Sequence, residues 1–142
     1  MALVTPSRPS SAPFIITAEL PPDIFAWADG LRRAHFPPER NVLSAHVTLF
    51  HSFAPSLREE LLRTLGDFAG EFAAPEAVVE GLMNLGKGTA LAIRSPGMLA
   101  IRERIAERFQ GALTKQDQHI PRLHITVQNK VSVDDARRLQ AE

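Results

Sequence analysis

Ala45-His46-Val47-Thr48-Leu49-Phe50-His51 and Leu123-His124-Ile125-Thr126-Val127-Gln128-Asn129 repeat one pattern: a histidine, a β-branched residue, a threonine and an apolar residue. Such alternation over a short, β-branched run is the mark of a half-buried strand. Residues two apart on a strand face the same way, roughly 7 Å apart along the backbone. Val47, Leu49, Ile125 and Val127 therefore anchor one face of each strand. The other face presents an imidazole beside a hydroxyl, His46 with Thr48 and His124 with Thr126.

Outward from these two strands, Pro13 to Leu20 reads as a further strand, and Pro21-Pro22-Asp23 opens a helix with Ile24, Ala28, Leu31 and His35 on one side. Pro37-Pro38 ends it. Ser56-Leu57-Arg58-Glu59 has the form of a capping box, and Leu57, Leu61, Leu65, Phe68 and Phe72 follow at helical spacing. Ala77–Leu85 and Thr89–Arg94 read as a hairpin turning at Gly86-Lys87-Gly88. Ser95, with Pro96 after it, caps a helix striped by Met98, Ile101, Ile105, Phe109 and Leu113. Ser132 with Asp135 starts the last helix, which is expected to run to the end of the chain. Residues 1–13, rich in Ser, Pro and Thr, are expected as a disordered leader, and 14–142 as a single domain.

The order strand, helix, strand with His-x-Thr occurs at residues 14–50 and again at 89–129. Two copies of one β-α-β unit would set two equivalent strands side by side about a pseudo-twofold axis. That predicts an α+β fold of two duplicated lobes, with antiparallel-rich sheets lining a central cleft.

The chain has 142 residues, enough for one ordinary core, and carries 16 Lys+Arg against 16 Asp+Glu, a formal net charge of zero. No global field draws in long polyanions, so a small or single-stranded phosphate ligand fits better than a duplex. With no cysteine, disulfides, thiolate nucleophiles and Cys-based zinc sites are excluded. That suits a cytoplasmic protein. No run approaches the roughly 20 apolar residues of a membrane span, and the N-terminus lacks the apolar core of a signal peptide.

Two histidines and two threonines around one cleft suit displacement at phosphorus. One imidazole takes a proton from the attacking oxygen while the other gives one to the leaving oxygen. The hydroxyls donate to the non-bridging oxygens. A 2′,3′-cyclic phosphate suits such a site, since its ring already places the leaving oxygen. Lys130, two residues beyond Gln128, is expected on the Thr126 side as an auxiliary phosphate contact, with Arg40 and Arg122 as weaker flanking candidates. The chain has no Tyr, so base stacking would fall to phenylalanines such as Phe36 or Phe50. His51 and His119 read as solvent-facing or structural. No carboxylate sits on the motif faces, so no metal site is expected.

The paired motifs, and the text Arg122-Leu123-His124-Ile125-Thr126-Val127-Gln128-Asn129-Lys130-Val131, resemble the 2H phosphoesterase superfamily, most of all its bacterial 2′-5′ RNA ligase / RNA 2′,3′-cyclic phosphodiesterase group. The resemblance runs from about Phe14 to the last helix. It implies a bilobal fold, two catalytic histidines, RNA ends or cyclic nucleotides as partners, and neither metal nor other cofactor. Leu123 stands where the family often has proline. Relatives continue past the last helix with another strand, whereas this chain stops at Glu142, which would leave a sheet edge free; a monomer, or a dimer through that edge, is expected. Three other readings stay open: a phosphoesterase of a small cyclic-phosphate metabolite, a nucleotide- or RNA-end-binding module without turnover, and a metal-dependent hydrolase.

Overall fold

The computed structural model of the chain describes residues 3–5, 12–41 and 43–141. Strands β1 (Leu3–Thr5), β2 (Phe14–Ala18) and β3 (Val47–Phe53) form one sheet in that order, with β1 antiparallel to β2. Strands β4 (Val78–Asn84), β5 (Thr89–Arg94) and β6 (His124–Gln128) form a second, antiparallel throughout. Helices α1 (Pro22–His35), α2 (Arg58–Glu71), α3 (Pro96–Arg108) and α4 (Val133–Gln140) complete an α+β fold.

The chain divides into two compact units, neither of them continuous in sequence. The first comprises residues 1–18, 48–77 and 95–121, and so holds β1, β2, nearly all of β3, α2 and α3. The second comprises residues 19–47, 78–94 and 122–142, and holds α1, β4, β5, β6 and α4. The duplicated order of elements is therefore present, but each helix belongs to the unit built on the other repeat's sheet. The helix that follows β2 packs with β6, and the helix that follows β5 goes with β1–β3. The two histidine strands are not neighbours in one sheet, as the pattern had suggested; each is the terminal strand of its own. Strand and helix spacing are local properties, whereas the choice of which sheet a helix covers is made by long-range packing.

The first unit is closed by aromatic residues. Phe50, Phe53 and Phe109 are 0–3% exposed and stack edge to face, with ring centres 5.1 and 5.4 Å apart. Leu61, Leu65 and Phe68 of α2 and Met98, Ile101 and Ile105 of α3 are buried, the stripes the sequence predicts. Burying each such side chain contributes roughly 1.5–3 kcal/mol. Two charged residues share this core. Arg102 is buried with its guanidinium 4.2 Å from the Phe50 ring centre, and it donates to the carbonyls of Leu49 and Asp117. The buried Asp117 carboxylate accepts from the backbone N–H groups of His51 (2.9 and 3.0 Å) and Ser52 (3.1 Å), and from His51 Nδ1 (3.1 Å). It thereby caps the strand's free edge, where N–H groups would otherwise lack partners. His51, read from the sequence as solvent-facing or structural, is partly exposed and joins this hydrogen-bonded edge.

In the second unit, Leu91 and Ile125 face each other across β5 and β6, both essentially buried. The predicted hairpin is present, with Leu85 N donating to Gly88 O at 3.0 Å. Gly86 has φ +82, a conformation that glycine adopts without strain. A Cβ on Gly88 would collide with the Gln128 carbonyl and the backbone of Asn129. Gly88→Ala is therefore expected to cost about 1–3 kcal/mol by forcing β5 and β6 apart. Urea denaturation checks this; a variant as stable as wild type would mean that the hairpin yields freely there.

Ser95 and Ser132 cap α3 and α4 through Met98 N (3.3 Å) and Asp135 N (3.0 Å), as expected. The capping box at Ser56 does not form. Pro55–Leu57 make a 3₁₀ turn, α2 starts at Arg58, and no side chain caps it. Proline presets the first position of a helical turn, which moves the start ahead of the serine. The disordered-leader expectation is corrected at Leu3–Thr5, which pair with β2 in the registers Leu3↔Ala18 and Thr5↔Ile15. A short β-prone run inside a Ser/Pro-rich segment gains backbone partners that composition does not reveal. Residues 1–2 and 6–11 of that leader lie outside the described residues. Among the described residues, no helix is long and apolar enough to cross a membrane.

Candidate active site

His46 immediately precedes β3, and His124 opens β6. Burial alternates along both motifs as a period of two requires. His46 and Thr48 are half-buried while Val47 and Leu49 are fully buried; His124 and Thr126 are half-buried while Ile125 and Val127 are buried. Both histidines belong to the second unit, and Thr48 is the first residue of the chain's return to the first.

The two rings are held alike. His46 Nδ1 lies 2.7 Å from the carbonyl of Ser44, and His124 Nδ1 lies 2.7 Å from the carbonyl of Arg122. A carbonyl only accepts, so each ring carries its proton on Nδ1. In the neutral ring Nε2 is then a bare lone pair, and in the charged ring an acid. Two residues with the same local clamp thus offer the same nitrogen.

Helix α1 fixes the His46 segment. Asp29 Oδ1 accepts from Ala45 N at 2.9 Å. One turn later, Arg32 Nε donates to Asn41 Oδ1 at 2.7 Å and Nη1 donates to the carbonyl of Thr126 at 2.9 Å. Its guanidinium lies 4.0 Å from the centre of the Phe36 ring. Arg32 was not foreseen. A charged residue in a helix reads as solvent-facing, and its partners, an amide and a strand carbonyl, leave no trace in sequence.

Burial pushes the His46 imidazole below its usual value; the bond to Ser44 opposes this, and the positive charges of Arg32 and His124 add to the depression. An unfolded His46 takes up its proton near pH 6.5, whereas the folded one waits for a lower pH. Between those two points the unfolded chain holds more protons, so stability falls as pH drops below about 6.5 and levels off beneath the folded value. His46→Gln is expected to lose less stability than wild type between pH 7.5 and 5.5, measured by urea denaturation; equal losses would mean that His46 is not depressed.

The other predicted residues are distributed unevenly. Arg122 is exposed and contributes its carbonyl to His124. Arg40 is exposed at the end of a 3₁₀ turn, Pro38–Arg40. Lys130 is exposed, but β6 has ended at Gln128 and Lys130 has φ +56, so strand alternation no longer directs its side chain. Phe50 is 0% exposed beneath Arg102, which removes it as a stacking surface; in its place in the alternation, β6 has Gln128, also buried, accepting from Thr89 Oγ1 at 3.0 Å. The open face of each motif strand therefore lasts only from His to Thr. One cavity of about 540 Å³ in the second unit is lined by Trp27, Leu31, Leu82, Val127 and Leu139 among others, and not by the motif histidines. Among the described residues, no three His, Cys, Asp or Glu side chains converge as metal ligands would.

The sequence model of the 2′-5′ RNA ligase superfamily matches residues 20–142. No curated protein and no solved structure matches the chain.

Proposed function

The chain belongs to the 2′-5′ RNA ligase superfamily, and from that premise we propose that it is a metal-independent phosphoesterase acting on 2′,3′-cyclic phosphate ends or 2′-5′ linkages of RNA or nucleotides. The observation that carries this reading is the matched pair of imidazoles, each with Nδ1 tied to a carbonyl two residues back and Nε2 left to act.

In hydrolysis of a 2′,3′-cyclic phosphate, His46 is the base. Its depressed basicity keeps it neutral near pH 7, so Nε2 can take a proton from the attacking water. The water oxygen bonds to phosphorus as a ribose oxygen leaves, and His124, charged on Nε2, gives that oxygen its proton. The product is a phosphomonoester beside a free hydroxyl, and the histidines have exchanged charge states. Reversal of the same steps, with an RNA hydroxyl in place of water, would form a 2′-5′ linkage. Thr48 and Thr126 hydroxyls donate to the non-bridging oxygens as charge builds there. Lys130, Arg40 and Arg122 are candidate contacts to the rest of the substrate.

The test is incubation with a 2′,3′-cyclic nucleotide in excess EDTA, followed by separation of the products. Monoester formation that is indifferent to chelator is expected. Tight binding without product would favour a binding module, and loss of turnover with EDTA would favour a metal-dependent hydrolase. Turnover confined to a small cyclic-phosphate metabolite would keep the chemistry and move the substrate.

A further inference from the structure

Arg32 is 5% exposed, and its two hydrogen-bond partners, the Asn41 amide and the Thr126 carbonyl, are both neutral. A guanidinium out of water is costly to hold; the field of Asp29, one turn earlier, opposes that cost, but among the described residues no carboxylate bonds to it. The position of its partners gives the arrangement a purpose. One precedes His46 on the loop between α1 and β3; the other lies two residues past His124 on β6. A single rigid fork spans the segments that carry the two histidines. Asp29, one turn earlier on the same helix, holds that loop at Ala45.

We infer that Arg32 is a positioning residue, whose planar fork sets the His46 loop against β6 and whose charge favours an anion at the histidine pair. The inference rests on the proposed reading of His46 and His124 as the acting groups, and deepens it. Lysine cannot replace the fork, because an ammonium is a point charge without fixed donor geometry. Misplacing one reacting group by about 1 Å can cost about 10²-fold in rate. His46 faces Arg32 from α1 and His124 from β6, with the Ser44 carbonyl on its own loop. Removing the guanidinium therefore leaves His46 easier to protonate.

The experiment compares wild type with Arg32→Met, Arg32→Lys and Asn41→Ala. It reads kcat and KM on a 2′,3′-cyclic nucleotide, and the NMR titration of both imidazoles. Arg32→Met is expected to lower kcat about 10- to 100-fold and to raise the pH at which His46 titrates, moving the acid limb of the rate profile the same way. Arg32→Lys keeps the His46 titration near wild type but does not restore kcat. A folded Arg32→Met with unchanged kcat and unchanged His46 titration overturns the inference, as does full rescue of kcat by lysine. Should Arg32→Met not fold, Asn41→Ala carries the test: it leaves the charge and frees one arm of the fork. A several-fold fall in kcat at similar KM then supports the inference, and an unchanged kcat overturns it. If wild type turns nothing over, the enzymatic reading fails by itself; the shift of His46 in Arg32→Met still decides whether Arg32 governs that ring.

Discussion

His46→Ala and His124→Ala are each expected to lower kcat/KM on a 2′,3′-cyclic nucleotide by about 10²- to 10⁴-fold. The size follows from the work assigned to each ring. In the proposed reaction a neutral Nε2 accepts a proton as the water attacks, and a charged Nε2 supplies one as the ribose oxygen leaves. Water at pH 7 does either poorly. Both rings are half-buried, and their hydrogen bonds run to carbonyls of their own segments. Neither substitution should therefore unfold the protein, and circular dichroism alongside the assay separates inactivity from misfolding. The double variant should lose little beyond the worse single one, because proton removal and proton delivery belong to one transition state. Near wild-type turnover in either single variant would leave the pair without its role.

The largest effect on stability is expected at Asp117. Its carboxylate answers two backbone N–H groups of β3 and the His51 ring at once, from a site 1% exposed. Asp117→Ala leaves the N–H groups of His51 and Ser52 without that partner. Each of these two losses costs about 1–3 kcal/mol, so about 2–6 kcal/mol in total is expected, a large share of the stability of a typical domain. Asp117→Asn retains one acceptor oxygen and should lose less. Urea denaturation of the three proteins checks the order; an alanine variant within 1 kcal/mol of wild type would show that the strand edge finds other partners.

What the sequence disclosed and what it hid divide by range. The motif strands, the hairpin at Gly86-Lys87-Gly88 and the stripes through Phe68 and Ile105 rest on periods of two or 3.6 residues, which neighbouring side chains alone define. The two serine caps at Ser95 and Ser132 were local in the same sense. Phe50 was misread because alternation assumes that a strand keeps one open face along its length, whereas Arg102 of a distant helix closes that face over it. Arg32 and Asp117 stayed hidden for a related reason. Each is a charged residue buried on backbone groups far along the chain, and helix or loop composition gives such residues to solvent. The exchange of α1 and α3 between the units has the same origin. Of the candidate site, the alternation that pairs His46 with Thr48 and His124 with Thr126 was legible, and the contacts by which Asp29 and Arg32 hold the His46 segment were not.

The most direct test of the central claim is an NMR titration with a nucleoside monophosphate, the product of the proposed reaction, following the Nε2 and ring-carbon signals of His46 and His124 together. Both imidazoles serving one phosphorus predicts that the two sets of signals move along one binding curve, with a single dissociation constant, and that both rings become harder to deprotonate beside the bound anion. A ligand that shifts only one of the rings, or neither, would contradict the account.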